Sequence, residues 1–390
     1  MLNAQKILQA AEQQVGITDT DSFVLTNLER LVEALNHEAE LSDEGFASAE
    51  RTLLWDMVNR LEGLKWTQDF PEVLDEPIDK PVFLTGLPRS GTTYFQYLFD
   101  LDPRFRQIRT WEALTPNPPF GGDPLAAQQR KASWAARRKE LHPTIPGFEA
   151  LHLHDEDGSE ECHAFMEQSL GAAGLNNLYR VPSYFDYLLQ DADLEASYRV
   201  HKRQLQLLQW GTERKPWSLK YPNHLLAIAE IASVYPDAQL VMTHRDPLQT
   251  TASIAKLSYT LRSARTDQMV DKKQVGRDMK LFVKQHIDRI MAATDSPLGE
   301  RIAHVDYYAL VHDPATVMRK VHQTLGIESS DEVLQAITHW HQHNPKNARG
   351  DNPYNLEQFG LDEDELTELY RDYRQRFAIP REQEGLKRSF

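Results

Sequence analysis

Residues 86–93, Gly86-Leu87-Pro88-Arg89-Ser90-Gly91-Thr92-Thr93, constrain the fold of this chain more than any other stretch. Two glycines at G-x-x-x-x-G spacing separate a short apolar run, Val82-Phe83-Leu84-Thr85, from an apolar segment running from about Thr92 to Phe99. A strand that enters such a turn and leaves it as a helix aims consecutive backbone N–H groups, and the positive end of the helix, at an anion. Thr92 and Thr93 add hydroxyl donors. The loop departs from that of a nucleoside triphosphatase, because Thr92 stands where a Lys would reach the β- and γ-phosphates. The cation has moved inside the loop, to Arg89, whose planar fork suits phosphate or sulfate oxygens. Anion binding is kept and the triphosphate–Mg²⁺ arrangement is lost.

The strand–helix alternation recurs three times. Trp217-Ser218-Leu219-Lys220, Leu240-Val241-Met242-Thr243 and Ile302-Ala303-His304-Val305 read as strands, each followed by helical periodicity. This predicts an α/β fold: a three-layer, P-loop-like parallel sheet flanked by helices. Before it, Leu25, Leu28, Leu31, Val32 and Leu35, then Leu53, Leu54, Met57, Val58 and Leu61, lie at helical spacing, with Gly63 as an expected C-cap. We therefore expect an N-terminal helical layer over 1–75 and an α/β domain over 76–390, the latter with a helical cap insertion at about 116–215. Asp157 and Glu160 have capping-box spacing ahead of Ala164, Phe165 and Met166.

Charge and cysteine content narrow the function classes. The formal charge is −15, from 43 Lys and Arg against 58 Asp and Glu, which speaks against a broad nucleic-acid-binding face. The lone Cys162 excludes an intramolecular disulfide and a cysteine-based zinc cluster and fits a reducing, cytoplasmic setting. Met1–Gly16 reads as an amphipathic helix rather than a signal peptide, and no apolar run is long enough for a transmembrane segment.

A second anion site is suggested where the third strand ends in Thr243-His244-Arg245-Asp246-Pro247, with Ser253 in the following helix. The alternative for Arg245 is a surface pair with Asp246. With these residues assembled, PVFLTGLPRSGTT resembles the 5′-phosphosulfate loop of sulfotransferases that use 3′-phosphoadenosine-5′-phosphosulfate (PAPS). Arg245 and Ser253 resemble that superfamily's 3′-phosphate site. WSLKYPNH and YPDAQLVMTHRDP resemble the Arg-type branch, which includes tyrosylprotein and Golgi carbohydrate enzymes and many bacterial members. VDYYALVHDP resembles the fourth-strand motif, with Tyr307 at the matching Tyr, and NPYNLEQFGL the tail of the bacterial group.

The resemblance implies metal-independent, in-line transfer of a sulfuryl group from PAPS to an acceptor hydroxyl on a small molecule, carbohydrate or lipid. It implies Arg89, Ser90, Gly91, Thr92 and Thr93 at the phosphosulfate, Arg245, Ser253 and Tyr307 elsewhere on the nucleotide, and Arg349 in a late loop closing over it. Arg89 and Lys220 are the expected electrostatic clamps and Glu112 the expected base. His154, Asp155 and Glu160, in the acidic segment HLHDEDGSEE, are the rivals for that role. A P-loop kinase, disfavoured by Thr92 and by the lack of a clear Mg²⁺-binding Asp, and a non-catalytic nucleotide-binding protein are the alternatives. His339, His341 and His343 lack a nearby Cys or carboxylate to complete a metal set. Trp134, Phe148, Phe165, Tyr184, Phe185 and Tyr187 are candidates for an apolar acceptor pocket or simply for core.

Overall fold

The computed structural model describes residues 1–119, 121–141, 157–344 and 355–388. Three helices open the chain: α1 (Ala4–Val15), α2 (Ser22–His37) and α3 (Asp43–Asp69). Strand β1 (Val82–Gly86) leads through the glycine loop into α4 (Thr92–Asp100) and α5 (Thr110–Leu114). The helices α6 (Pro124–Leu141), α7 (His163–Glu167), α8 (Leu175–Leu178), α9 (Pro182–Gln190) and α10 (Leu194–Gln209) follow before β2 (Ser218–Lys220). Next come α11 (Ile228–Val234), β3 (Gln239–His244), α12 (Pro247–Ser263), α13 (Lys272–Asp295) and β4 (Ile302–Asp306). The chain closes with α14 (Tyr307–His312), α15 (Pro314–Thr324), α16 (Asp331–His343), α17 (Glu363–Leu369), α18 (Arg371–Arg376) and α19 (Glu382–Gly385).

The four strands pair in parallel in the order β2-β1-β3-β4, so the strand that feeds the glycine loop is central. Its register sets Leu84 beside Lys220 on one flank and Gly86 beside Thr243 on the other. Every residue of β1 is buried, as a parallel strand covered on both faces requires. Side chains alternate between two cores. Val82, Leu84, Val241, Ala303 and Val305 pack with Phe95, Leu98, Met318 and Ile337 from α4, α15 and α16. Phe83, Leu219, Leu240 and Met242 face the other way, into a larger core with Leu28, Met57, Tyr198, Ile231 and Phe282. The sheet is thus the middle of three layers, as its alternating strand–helix pattern predicts.

Two local expectations fail. Gly63 does not end a helix, because α3 continues through it to Asp69. A Cβ at Gly63 would lie 2.6 Å from Nε2 of Gln204, so the glycine serves the close approach of α10. Asp157 and Glu160 do not cap α7 either: its N-cap is Cys162, with no side-chain capping bond. No helix among the described residues is long and apolar enough to cross a membrane.

Candidate active site

The glycine loop bends at three left-handed positions. Gly86 has φ 146° and Gly91 φ 90°, while Arg89 adopts φ 71°, a conformation uncommon for a residue with a side chain. A Cβ on Gly86 would come within 2.5 Å of the Thr243 carbonyl oxygen, and one on Gly91 within 2.7 Å of the Tyr307 ring. Tyr307 is thereby placed as a buttress of the loop. Gly91→Ala combines that overlap with a left-handed φ, and such strain costs on the order of 1–3 kcal/mol. We expect a thermal midpoint lower by a few degrees; an unchanged midpoint would show that Tyr307 does not lean on the loop.

Inside the turn the side chain of Ser90 is buried and shares a 2.7 Å hydrogen bond with the Thr243 hydroxyl. It ties the loop to β3, leaving the backbone to face an anion. Thr92 opens α4 and is buried, whereas the Thr93 hydroxyl accepts a 3.1 Å hydrogen bond from Nζ of Lys220. Lys220 ends β2, next to β1, which is why a residue 127 positions away in sequence reaches the loop. The same ammonium makes a close ion pair with Glu161, a partner that the sequence reading did not single out.

The residues expected at the two ends of the nucleotide converge. Nε of Arg89 donates to Oγ of Ser253 at 3.1 Å, and Nη1 of Arg245 donates to the Arg89 carbonyl oxygen at 2.8 Å. The Arg245 guanidinium also lies over the Tyr307 ring, 4.4 Å from its centre. Arg245 does not pair with Asp246. It forks onto Glu382, with Nε donating to Oε2 at 3.0 Å and Nη2 to Oε1 at 2.5 Å. Glu382 is held from two further directions: its N–H donates to Asp246 Oδ2 at 3.0 Å, and its Oε2 accepts from the Tyr308 hydroxyl at 2.9 Å. Nothing in the local sequence around residue 382 pairs it with a strand end 137 residues earlier.

Glu112 is buried and engaged in holding its surroundings. One carboxylate oxygen accepts the Arg109 backbone N–H at 2.9 Å, capping α5, and the other accepts from Nη2 of Arg106 at 3.0 Å. The stretch it organises pairs with the acidic segment: Arg109 bridges Ser159, and Glu160 N–H donates to the Ile108 carbonyl at 2.8 Å. Glu160 is further fixed by Gln96 of α4, whose Nε2 donates to its carbonyl oxygen at 2.9 Å. Its Oε1 accepts the Glu161 N–H at 2.8 Å, and its Oε2 accepts no hydrogen bond from any described residue. Desolvation by the surrounding protein pushes the Glu160 carboxyl up to about 7, and the neighbouring Glu161 pushes the same way.

Arg349, His154, Asp155 and Phe148 lie outside the described residues. Trp134, Phe165, Tyr184 and Phe185 are buried, and the Tyr184 hydroxyl is spent on the Leu170 carbonyl, so they behave as core. Tyr187 is half-buried and donates to Oδ1 of Asn27 at 2.8 Å. Among the three late histidines, His341 Nδ1 meets the Tyr94 hydroxyl at 2.8 Å and His343 Nδ1 meets the His339 carbonyl at 2.8 Å.

Comparison with known proteins bears on this arrangement. Residues 81–331 match the family described as "Sulfotransferase family". The omega-hydroxy-beta-dihydromenaquinone-9 sulfotransferase Stf3 of Mycobacterium bovis is 26% identical over 286 residues, covering 70% of this chain and 69% of that protein. Among solved structures, sulfotransferase STF9 from Mycobacterium avium superposes with a TM-score of 0.87 at 28% identity, covering 98% of each chain. Sulfotransferase STF1 from Mycobacterium tuberculosis H37Rv gives a TM-score of 0.81 at 30% identity, covering 95% of this chain and 99% of that one.

Proposed function

The chain belongs to the sulfotransferase family, and from that premise we propose that it moves a sulfuryl group from PAPS to the hydroxyl of an acceptor alcohol. The observation that carries this reading is the meeting of Arg89, Lys220, Arg245, Ser253 and Thr93 around one strand–loop–helix turn. The donor set fits a phosphosulfate: backbone N–H groups at a helix start, a hydroxyl, and the guanidinium and ammonium groups of Arg89 and Lys220. In the transfer, the acceptor oxygen bonds to sulfur as the bond from sulfur to the 5′-phosphate oxygen breaks. Charge grows on that leaving oxygen and is redistributed over the sulfuryl oxygens. Lys220, Arg89 and the loop amides supply the field that holds this charge, with no step that requires a metal.

The acceptor's proton needs a base, and we assign that role to Glu160. It stands beside the residue that pairs with Lys220, and one of its oxygens is uncommitted. Glu112, by contrast, has both oxygens in use for a helix cap and an ion pair. Glu161 is assigned to position Lys220. The Stf3 relative is named for an omega-hydroxy menaquinone, so we take an alcohol hydroxyl on an apolar body as the acceptor class to test first.

Cofactor recognition is the sharpest test. Arg89→Ala should weaken both adenosine 3′,5′-bisphosphate and adenosine 5′-monophosphate. Arg245→Ala should weaken the bisphosphate about tenfold and leave the monophosphate nearly unchanged, since one charge-assisted contact is worth roughly 1.5 kcal/mol where a carboxylate already shares the fork. Calorimetric titration of both nucleotides reads the difference within one variant, which removes effects of general destabilisation. Equal weakening of the two by Arg245→Ala would end the assignment of this residue to the 3′-phosphate.

A further inference from the structure

Behind β2, on the sheet face opposite α4, three residues that are far apart in sequence meet in the interior. Cys162 stands at the start of α7, His201 lies within α10, and His224 lies in the turn after β2; all three are fully buried. The Cys162 sulfur and one nitrogen from each ring lie within 4.8 Å of one another. One nitrogen of each ring is already fixed. Nδ1 of His201 meets the Tyr235 hydroxyl at 2.7 Å, and Nδ1 of His224 meets the Tyr198 hydroxyl at 2.7 Å. Nε2 of both rings is buried without a hydrogen-bond partner among the described residues. Two imidazoles held by second partners at Nδ1, with the opposite nitrogen open and a sulfur close by, have the form of a preorganised ligand set.

We propose that Cys162, His201 and His224 bind a single copper(I) ion. The ligand types suit a soft d¹⁰ cation. Bonds of about 2.0–2.3 Å would set three ligand atoms in a plane roughly 3.6–4 Å apart, so side-chain rotations close the remaining gap. Charge selects copper(I) over zinc(II). On binding, the Cys162 thiol releases its proton to the solvent buffer as the sulfur–metal bond forms, and the thiolate, two neutral imidazoles and a monovalent ion sum to zero. Zinc(II) would leave one positive charge on the buried cluster, and no fourth Cys, His or carboxylate joins it among the described residues. Phe83 walls the site against both rings, with centroids 4.9 Å from His224 and 6.1 Å from His201. The site has a structural use. The Cys162 N–H donates to the Lys220 carbonyl at 2.9 Å, so an ion there would bolt the Glu160–Glu161 segment to α10 and to the strand that carries Lys220.

The test uses the purified protein under anaerobic conditions with copper(I) buffered by bicinchoninate. The expected result is one copper retained per chain after gel filtration and an X-ray absorption spectrum with one sulfur and two nitrogen neighbours. Cys162→Ala should lose that copper while melting cooperatively without it, and the copper-loaded wild type should melt several degrees higher than the copper-free protein. Copper retained equally by Cys162→Ala, a spectrum without sulfur, or zinc(II) bound where copper(I) is not, would each overturn the proposal. The spectrum of the wild type needs no variant, so a misfolded Cys162→Ala does not protect the idea. None of these readouts depends on sulfuryl transfer.

Discussion

Glu160→Gln is expected to lower kcat by about 10²–10⁴-fold, the range in which a positioned general base contributes. The substitution is conservative in place. A glutamine oxygen can still accept the Glu161 N–H, and the two backbone bonds to Ile108 and Gln96 are untouched. Nucleotide affinity should therefore stay within a few-fold of wild type. The pH profile carries a second signature. The Glu160 carboxyl is raised to about 7, and a base works only when ionised, so kcat/KM should rise with pH through that region and level off above it. That acid limb should vanish in Glu160→Gln. Glu112→Gln is the control: breaking the α5 cap and the pair with Arg106 should lower thermal stability, with a much smaller effect on kcat. Near-normal turnover in Glu160→Gln together with a collapse in Glu112→Gln would return the base role to Glu112.

Lys220→Ala should lower kcat by about 10²–10³-fold, the size seen when one preorganised donor to developing charge is removed. Its ammonium is buried at the loop mouth, reaching Thr93 and Glu161. Because the proposed mechanism aims that charge at the reacting centre, the affinity for adenosine 3′,5′-bisphosphate should change far less than turnover. Lys220→Arg keeps the charge on a longer, planar group that cannot occupy the same point, and it should recover only part of the loss. Glu161→Gln separates positioning from chemistry: it should impair turnover mildly, because Lys220 keeps Thr93. If Lys220→Ala raised the nucleotide's Kd in proportion to its loss of kcat, Lys220 would be a binding residue and the clamp assignment would fail.

The elements nearest the chemistry were readable because local physics dictates them. Val82-Phe83-Leu84-Thr85 has no polar side to show solvent, so it becomes a central strand; Gly86 and Gly91 stand where the backbone turns left-handed. What local patterns could not supply is partnership across the chain. Lys220 and Glu161 are 59 residues apart, and Arg245 and Glu382 are 137 apart; each pair exists only because the sheet order and the last helices bring it together. Glu112 shows the opposite limit. Its position after α4 is the one the resemblance implies for a base, yet its carboxylate is taken up by Arg106 and a helix end. Gly63 reads as a stop signal in one dimension and becomes a contact point with Gln204 in three. Cys162 likewise stands alone in sequence and has two imidazoles at its side in the fold.

The fork between Arg245 and Glu382 changes what it means for an anion to arrive at that strand end. An incoming phosphate meets one half of an existing couple, so its gain is an exchange energy, the difference between two attractions, rather than the whole of one. A singly charged visitor such as acetate or chloride offers the cation little more than the resident carboxylate already does. A doubly charged phosphate offers more, and in the proposed function a nucleotide held at the loop delivers it. Glu382, at the start of α19, thereby sets the reference against which every competing anion in the surrounding solution is weighed.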